Sequence, residues 1–129
     1  MVQLVSWNGV LPVGKAMVLF PTHEEWSVSA EREGCAEIRD VGVVEDHRRH
    51  GVATAMIASL EAAAFERGMS RIGLSVAMAD EDAPARALYA KLRYAFAHGP
   101  FVTSTDLLDD EGRPIHVGAV MTYLTKPLP

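Results

Sequence analysis

The stretch Arg48-Arg49-His50-Gly51-Val52-Ala53-Thr54 decides which fold this chain is expected to adopt, because it joins a strand pattern to a helix pattern. The first N–H groups of a helix have no partner inside the helix, and the helix dipole adds about half a positive charge there, so this position attracts anions. Gly51 places no side chain between a ligand and the backbone, and Arg48, Arg49 and His50 add positive character. The stretch is therefore a candidate phosphate-binding turn, and the alternative is a solvated basic turn before an ordinary helix.

The segments on either side of the turn have the expected patterns. From Glu37 to Val44 the sequence alternates and then becomes apolar, which is typical of an inner strand. After the turn, apolar residues recur at the spacing of one helix face, and Gly68 follows them as the residue that a left-handed helix end prefers. The residues of this face are Val52, Ala53, Met56, Ile57, Leu60, Ala63 and Ala64.

Towards the N-terminus, two strand patterns cover Leu4–Trp7 and Val13–Phe20, and Asn8-Gly9 predicts a hairpin turn between them. Residues Pro21 to Gly34 are polar and show no sustained apolar period, so we expect a mobile loop. The sequence thus predicts that the chain opens with a hairpin and reaches the strand before the basic turn through an irregular segment.

Towards the C-terminus, the alternating residues Ile72 to Met78 predict a strand. Asp82 and Pro84 are typical of a helix start, and the next apolar residues fall on one helical face. These are Ala85, Leu88, Tyr89 and Leu92.

Phe101–Leu107 and Ile115–Leu124 predict a closing hairpin. The resulting order is β-β-β-α-β-α-β-β, a mixed α/β fold that we expect to form a single domain over residues 1–129.

Composition limits the classes of function. A chain of 129 residues that is 49% hydrophobic can build one core, and its net charge of −5 argues against a nucleic-acid partner. No apolar run is long enough to span a membrane, and the single Cys35 cannot form an internal disulfide, so a cytoplasmic protein is expected. His47 and His50 are three residues apart without a further ligand cluster, and we therefore expect no metal site.

Two ordered motifs resemble the GNAT superfamily of N-acetyltransferases. The run Arg48 to Ala53 matches the family signature Gln/Arg-x-x-Gly-x-Gly/Ala, and Val41-Gly42-Val43 before it is similar to the family's strand end. The run Ala85 to Tyr94 looks like the family segment Ala-x-x-Leu-Tyr-x-Lys-x-Gly-Phe. The resemblance covers roughly Leu4 to Leu124 and implies a splayed central sheet of about six strands with crossover helices, the acyl-CoA N-acyltransferase fold.

The resemblance also implies a cofactor and its contacts. Acetyl-CoA would be the co-substrate, with its pantetheine arm paired to the backbone of Val41 and Val43 like an added strand. The backbone amides that would hold the pyrophosphate are those of Arg48, Arg49, His50, Gly51, Val52, Ala53 and Thr54. Asp82 stands where many relatives have Asn, so it can accept a hydrogen bond from the pantetheine but cannot donate one.

Tyr89 is implied to direct its hydroxyl at the coenzyme sulfur, and the alternative is a core aromatic on the helix stripe. A phenol keeps its proton at neutral pH and can donate it to a departing thiolate. The attacking amine must lose a proton, so we expect a base. Glu37 and Asp40 are the candidates, although each fits a surface or pairing acid as well, and His47 is a weaker one.

The family usually begins with a strand and two helices, whereas Met1 stands before what resembles the second strand. We therefore expect an N-terminally shortened domain with an exposed edge strand, and a homodimer that covers Val5 or Trp7.

The expected function is acetyl transfer to a primary amine by direct attack on the thioester. The acceptor stays open between a small amine, an antibiotic, a peptide N-terminus and a lysine. The alternative is a CoA-binding sensor or interaction module without catalysis, or a truncated remnant of an acetyltransferase.

Overall fold

The computed structural model describes residues 1–129 apart from the side chain of Thr105. The strands are β1 (Val2–Asn8), β2 (Leu11–Leu19), β3 (Ala36–Val43), β4 (Arg71–Ala77), β5 (Ala95–Leu108) and β6 (Pro114–Pro127). The α-helices are α1 (Val28–Glu33), α2 (Val52–Glu66) and α3 (Ala83–Lys91). Two short 3-10 turns, Glu45–His47 and Asp80–Asp82, precede α2 and α3.

The six strands form one sheet in the order β1-β2-β3-β4-β6-β5. The β1–β2 and β2–β3 pairs are antiparallel and the β3–β4 pair is parallel. A parallel pair needs a crossover connection, and α2 supplies it. The mixed α/β sheet that the sequence predicts is confirmed. The chain forms two compact units, one of residues 1–74 with 125–129 and one of residues 75–124.

In the first unit, β1 and β2 form the predicted hairpin, with the turn one residue later than expected. Asn8 still pairs with Leu11, so the turn consists of Gly9 and Val10, and Gly9 has a φ of 62°. The strand β1 is an edge of the sheet, and the side chains of Val5 and Trp7 are 53% and 60% exposed. The exposed edge strand is therefore present, whereas a dimer across it stays a prediction.

The helix α2 packs on one face of this hairpin. Gly14 of β2 allows the close approach, because a Cβ there would lie 3.0 Å from the Met56 methyl carbon and 3.1 Å from a methyl of Val52. The buried face of α2 consists of Met56, Ile57, Leu60 and Ala64. Gly68 adopts a φ of 81° just beyond the helix, as its position in the sequence predicts.

The prediction of a mobile loop over residues 21–34 is wrong. This segment contains α1, whose first turn is capped by the Ser27 hydroxyl accepting from the Ala30 N–H at 3.0 Å. The Trp26 indole N–H donates to the Cys35 carbonyl at 2.9 Å and ties the segment to the start of β3. A helix of fewer than two turns is too short to show an apolar period, so its capping serine was the available signal.

In the second unit, α3 begins where predicted but without the predicted cap. Asp82 occupies the N-cap position and its side chain makes no capping hydrogen bond, while Pro84 lies in the first turn. The closing hairpin is confirmed, with strands that extend beyond the predicted ranges. At its turn the Asp109 carboxylate accepts the N–H groups of Arg113 and Glu111, and the Arg113 backbone bond is the main reason why the pKa of Asp109 is lowered.

Candidate functional site

The strand β3 has different neighbours along its length. Its first residues pair with β4 at Ala36↔Ile72 and Glu37↔Gly73, and these pairs are the parallel ladder of the first unit. The strand then continues to Val43 with β2 as its neighbour on the other side. The predicted pantetheine-binding residues of β3 therefore lie beyond this ladder.

A β-bulge distorts β3 next to those residues. The register between β2 and β3 shifts between Lys15 and Met17, which leaves Asp40 and Val41 opposite one residue of β2. Asp40 takes a left-handed conformation with a φ of 56°, which an aspartate tolerates better than most side chains. Bulges bend a strand and change the direction of its groups, and they are common beside active sites. Asp40 is exposed, and its carboxylate has no hydrogen bond or ion pair with the described residues.

The basic turn is held at its start by one contact with β2 and one with the end of β3. The Val44 N–H donates to the Val13 carbonyl at 2.9 Å, and the Arg48 Nε donates to the Val43 carbonyl at 2.9 Å. His47 lies between them in the 3-10 turn and has its Nε2 3.2 Å from the Asn8 side-chain nitrogen. These contacts fix the path of the chain from β3 to α2.

The end of the basic turn has a backbone that few residues can adopt. Arg49 has a φ of 65° and Gly51 a φ of 79°, so both are left-handed. A Cβ on Gly51 would meet no atom within 4 Å, so the conformation rather than crowding favours glycine, and space is open beside the backbone. Arg48, Arg49 and His50 are exposed around that space.

The start of α2 offers hydrogen-bond donors. Gly51 is the N-cap without a side-chain cap, and the first bond of the helix runs from the Ala55 N–H to the Gly51 carbonyl at 3.0 Å. The N–H groups of Val52, Ala53 and Thr54 precede that bond and have no acceptor among the described residues. Unpartnered N–H groups, an open backbone and three basic side chains fit a diphosphate group.

Glu37, one of the two candidate bases, is buried and held by several groups. It is 1% exposed, its Oε1 accepts from Arg39 Nε at 2.8 Å, and its Oε2 accepts from the Ser27 hydroxyl. Arg39 also donates to the Glu25 carbonyl at 2.7 Å. The carboxylate thus joins β3 to the segment that carries α1.

In the second unit, Tyr89 lies in α3 and is 8% exposed. Its ring meets Tyr94 edge to face, with the centroids 5.9 Å apart and the planes at 73°. Burial raises the pKa of the Tyr89 phenol above 10.0. Its hydroxyl makes no hydrogen bond to another group within the described residues. Asp82, the other predicted contact of this unit, is half-buried at the start of the same helix.

The structure groups the predicted residues by unit. Val41, Val43 and the turn from Arg48 to Thr54 are continuous around the end of β3, whereas Asp82 and Tyr89 share α3. The sequence patterns missed the bulge at Asp40, although the break in alternation from Asp40 to Val43 was a signal for it.

The described residues contain neither a metal-binding group nor a membrane-spanning helix. No group of three or more His, Cys, Asp or Glu is arranged to hold a metal ion. No helix has the length and apolar character to cross a membrane.

Known proteins with the same fold are numerous. The ribosomal-protein-S18-alanine N-acetyltransferase of Escherichia coli is similar with a TM-score of 0.65 and 17% identity, over 98% of this chain and 68% of that one. An IAA acetyltransferase from Bacillus cereus has a TM-score of 0.67 and 16% identity, over 98% and 77% of the two chains. An N-acetyltransferase from Staphylococcus aureus has a TM-score of 0.68 and 14% identity, over 98% and 67%.

A search of curated protein sequences finds no match to the chain. The model of the Acetyltransferase (GNAT) family matches residues 1–94, which include β3, the basic turn, α2 and α3. That match spans more than half of the sequence, and this chain therefore belongs to the GNAT family of acetyltransferases.

Proposed function

We propose that the chain transfers an acetyl group from acetyl-CoA to a primary amine, which attacks the thioester carbonyl directly. The observation that carries this proposal is the start of α2, where N–H groups without partners stand beside the open backbone of Gly51. Such a place suits the pyrophosphate of coenzyme A, because the donors and the helix dipole act on the same anion.

The other proposed cofactor contacts involve the basic side chains of the turn, the backbone of β3 and Asp82. The basic side chains of Arg48, Arg49 and His50 surround the turn and would offset the phosphate charge. The backbone of Val41 and Val43, beyond the short ladder with β4, would pair with the amide groups of the pantetheine arm. Asp82 would accept a pantetheine N–H, since its carboxylate makes no cap bond to α3.

Tyr89 would supply the proton for the leaving group. As the amine nitrogen bonds to the acetyl carbon, the carbon–sulfur bond breaks and leaves a coenzyme thiolate that must be protonated. Burial raises the pKa of the phenol above 10.0, so the phenol carries its proton throughout the neutral range. Its hydroxyl has no other partner among the described residues, which leaves the proton available for the sulfur.

Of the two candidate bases, Asp40 fits the role better. Glu37 already accepts from Arg39 and Ser27 and is 1% exposed, so taking up a proton would disrupt these contacts. Asp40 is exposed at the bulge and can accept the amine proton through water. We propose Asp40 as the base and Glu37 as the acid that holds the α1 segment on β3.

The acceptor belongs to the class of small-molecule or peptide amines. The similar Escherichia coli protein is a ribosomal-protein-S18-alanine N-acetyltransferase, and a protein alanine is one member of that class. The wider class is tested by thiol release from acetyl-CoA with a small alkylamine, an amine antibiotic, a peptide with N-terminal alanine and a lysine peptide. Cys35 is fully buried, so the protein's own thiol should contribute little to such an assay.

Gly51→Glu should abolish cofactor binding, because it places a carboxylate where the pyrophosphate would meet the backbone. At a ligand concentration about a hundred times Kd, acetyl-CoA should raise the Tm of the parent by roughly 5–10 °C and leave that of G51E unchanged. Gly68→Glu is the matched control, since Gly68 has a φ of 81° and equally open space at the other end of α2. An equal rise of Tm in the two variants would refute the cofactor assignment.

Tyr89→Phe should lower kcat for thiol release about 100-fold while the Kd of acetyl-CoA changes less than about twofold. Tyr94→Phe removes a hydroxyl from the neighbouring ring and is the control. Because the protonated phenol is the active form and its pKa is raised, the alkaline fall of kcat in the parent should lie above pH 10.0. If Y89F keeps the kcat of the parent, Tyr89 is a packing residue. If the parent binds acetyl-CoA but releases no coenzyme thiol with any of the amines, the protein is a CoA sensor.

Asp40→Asn should lower kcat at neutral pH by about 100-fold, because the base is lost. Asparagine also tolerates the left-handed conformation at this position, so the backbone is preserved. Asp46→Asn removes an exposed carboxylate from the nearby 3-10 turn and is the control. If kcat is the same in D40N and D46N, Asp40 is not the base.

A further inference from the structure

Arg86 makes an unusual pair of contacts at the start of α3. One nitrogen of its guanidinium, Nη1, donates to the Ala77 carbonyl at 2.7 Å and to the Ala79 carbonyl at 2.8 Å. Both distances are short for N–H···O bonds, and a charged donor makes such bonds roughly twice as strong as neutral ones. The bond to the Ala77 carbonyl is partly buried, so water competes less for it than for the exposed bond to the Ala79 carbonyl.

These two carbonyls mark the end of β4 in the second unit. Ala77 is the last residue of the strand, and the next residue, Met78, donates its N–H to the Val120 carbonyl of β6 at 2.9 Å. The Ala79 carbonyl also accepts the Asp82 N–H at 3.0 Å. Arg86 therefore binds a segment that the sheet already holds in place.

Among the described residues, no side-chain cap holds the start of α3. The Asp82 side chain makes no capping bond, and Pro84 in the first turn has no N–H to donate. The helix is short, from Ala83 to Lys91, so a shift at its start moves the whole element. The guanidinium of Arg86 thus replaces the missing cap as the tie between α3 and the strand before it.

Tyr89 lies three residues after Arg86, which places both side chains on the same side of the helix. At the other end, the Tyr94 N–H donates to the Tyr89 carbonyl at 2.9 Å, and the Tyr94 ring meets the Tyr89 ring. The phenol is therefore located between one anchor at Arg86 and one at Tyr94. A displacement of about 1 Å can cost about 100-fold in rate when the displaced group takes part in the chemistry.

We infer that Arg86 is a positioning residue for acetyl transfer: by holding α3 on the Ala77 and Ala79 carbonyls, it sets where the Tyr89 hydroxyl meets the leaving sulfur. This inference rests on the proposed role of Tyr89. A purely structural Arg86 would lower stability, and its loss would reduce kcat by the same factor with or without the Tyr89 hydroxyl. If Arg86 instead positions the Tyr89 hydroxyl, its loss should lower kcat only when that hydroxyl is present.

The test is a double-mutant cycle of Arg86→Met and Tyr89→Phe, measured as thiol release with the amine that is most active with the parent. R86M should lower kcat about tenfold, with the KM for acetyl-CoA within about twofold. In the Y89F background, R86M should change kcat by less than about twofold. Lys91→Met removes a positive charge from an exposed site on the same helix and should leave kcat unchanged.

Arg86→Lys should recover most of the rate, because an ammonium group also offers several donors to two carbonyls. If R86M does not fold, R86K keeps the cycle informative, with a smaller loss of kcat that again disappears in Y89F. Parental kcat in R86M, or equal losses in the two backgrounds, would overturn the inference. Parental kcat in Y89F would instead refute the proposed role of the phenol.

A second measurement needs no acceptor. The absorbance of tyrosinate, taken as the difference from Y89F, follows the ionisation of Tyr89. If Arg86 holds the helix, R86M should admit water to the Tyr89 ring. The titration midpoint of the Tyr89 phenol should then move down towards 10.0, because burial is what raises this pKa. Loss of the guanidinium charge alone would move the midpoint up, so an unchanged or higher midpoint would contradict the inference.

Discussion

The N–H groups at the start of α2 have no hydrogen-bond partner within the described residues, and the proposed cofactor site depends on this constraint. A helix start is usually completed by a side-chain cap, and here the N-cap is Gly51, which has none. The left-handed Arg49 and Gly51 turn the chain so that the open backbone remains beside these donors. An anion can then accept from these donors in place of water, and the helix dipole favours its negative charge.

The two acids of β3, which lie three residues apart, have different surroundings. Glu37 faces the segment with α1 and is held by Arg39 and Ser27, whereas Asp40 stands exposed at the bulge. The bulge changes the alternation of the strand, so sequence spacing alone cannot say which acid is buried. In the second unit, Arg86 contacts the Ala77 carbonyl near one end of α3, and Tyr94 contacts the Tyr89 ring near the other.

Local signals explain which parts of the fold were predictable. The long α2, its Gly68 end and the closing hairpin have strong periodic or turn patterns, and the structure contains all three, although the strands of the hairpin extend beyond the predicted ranges. The short α1 has no room for a period, and its formation depends on the Ser27 cap. The Arg86 bonds join the helix to backbone carbonyls of the preceding segment, and no residue pattern in the sequence indicates such a partner. Side-chain to backbone contacts of this kind could be identified only from the structure.

The most direct test of this account is to follow the backbone amide resonances of the isotope-labelled chain during a titration with coenzyme A. The amides of residues 49–54 and of Val41 and Val43 should shift together and saturate at one Kd. The amides of Glu111 and Arg113 already donate to Asp109, and they should not move. Saturating shifts that leave residues 49–54 unchanged would contradict the claim that the open start of α2 holds the pyrophosphate.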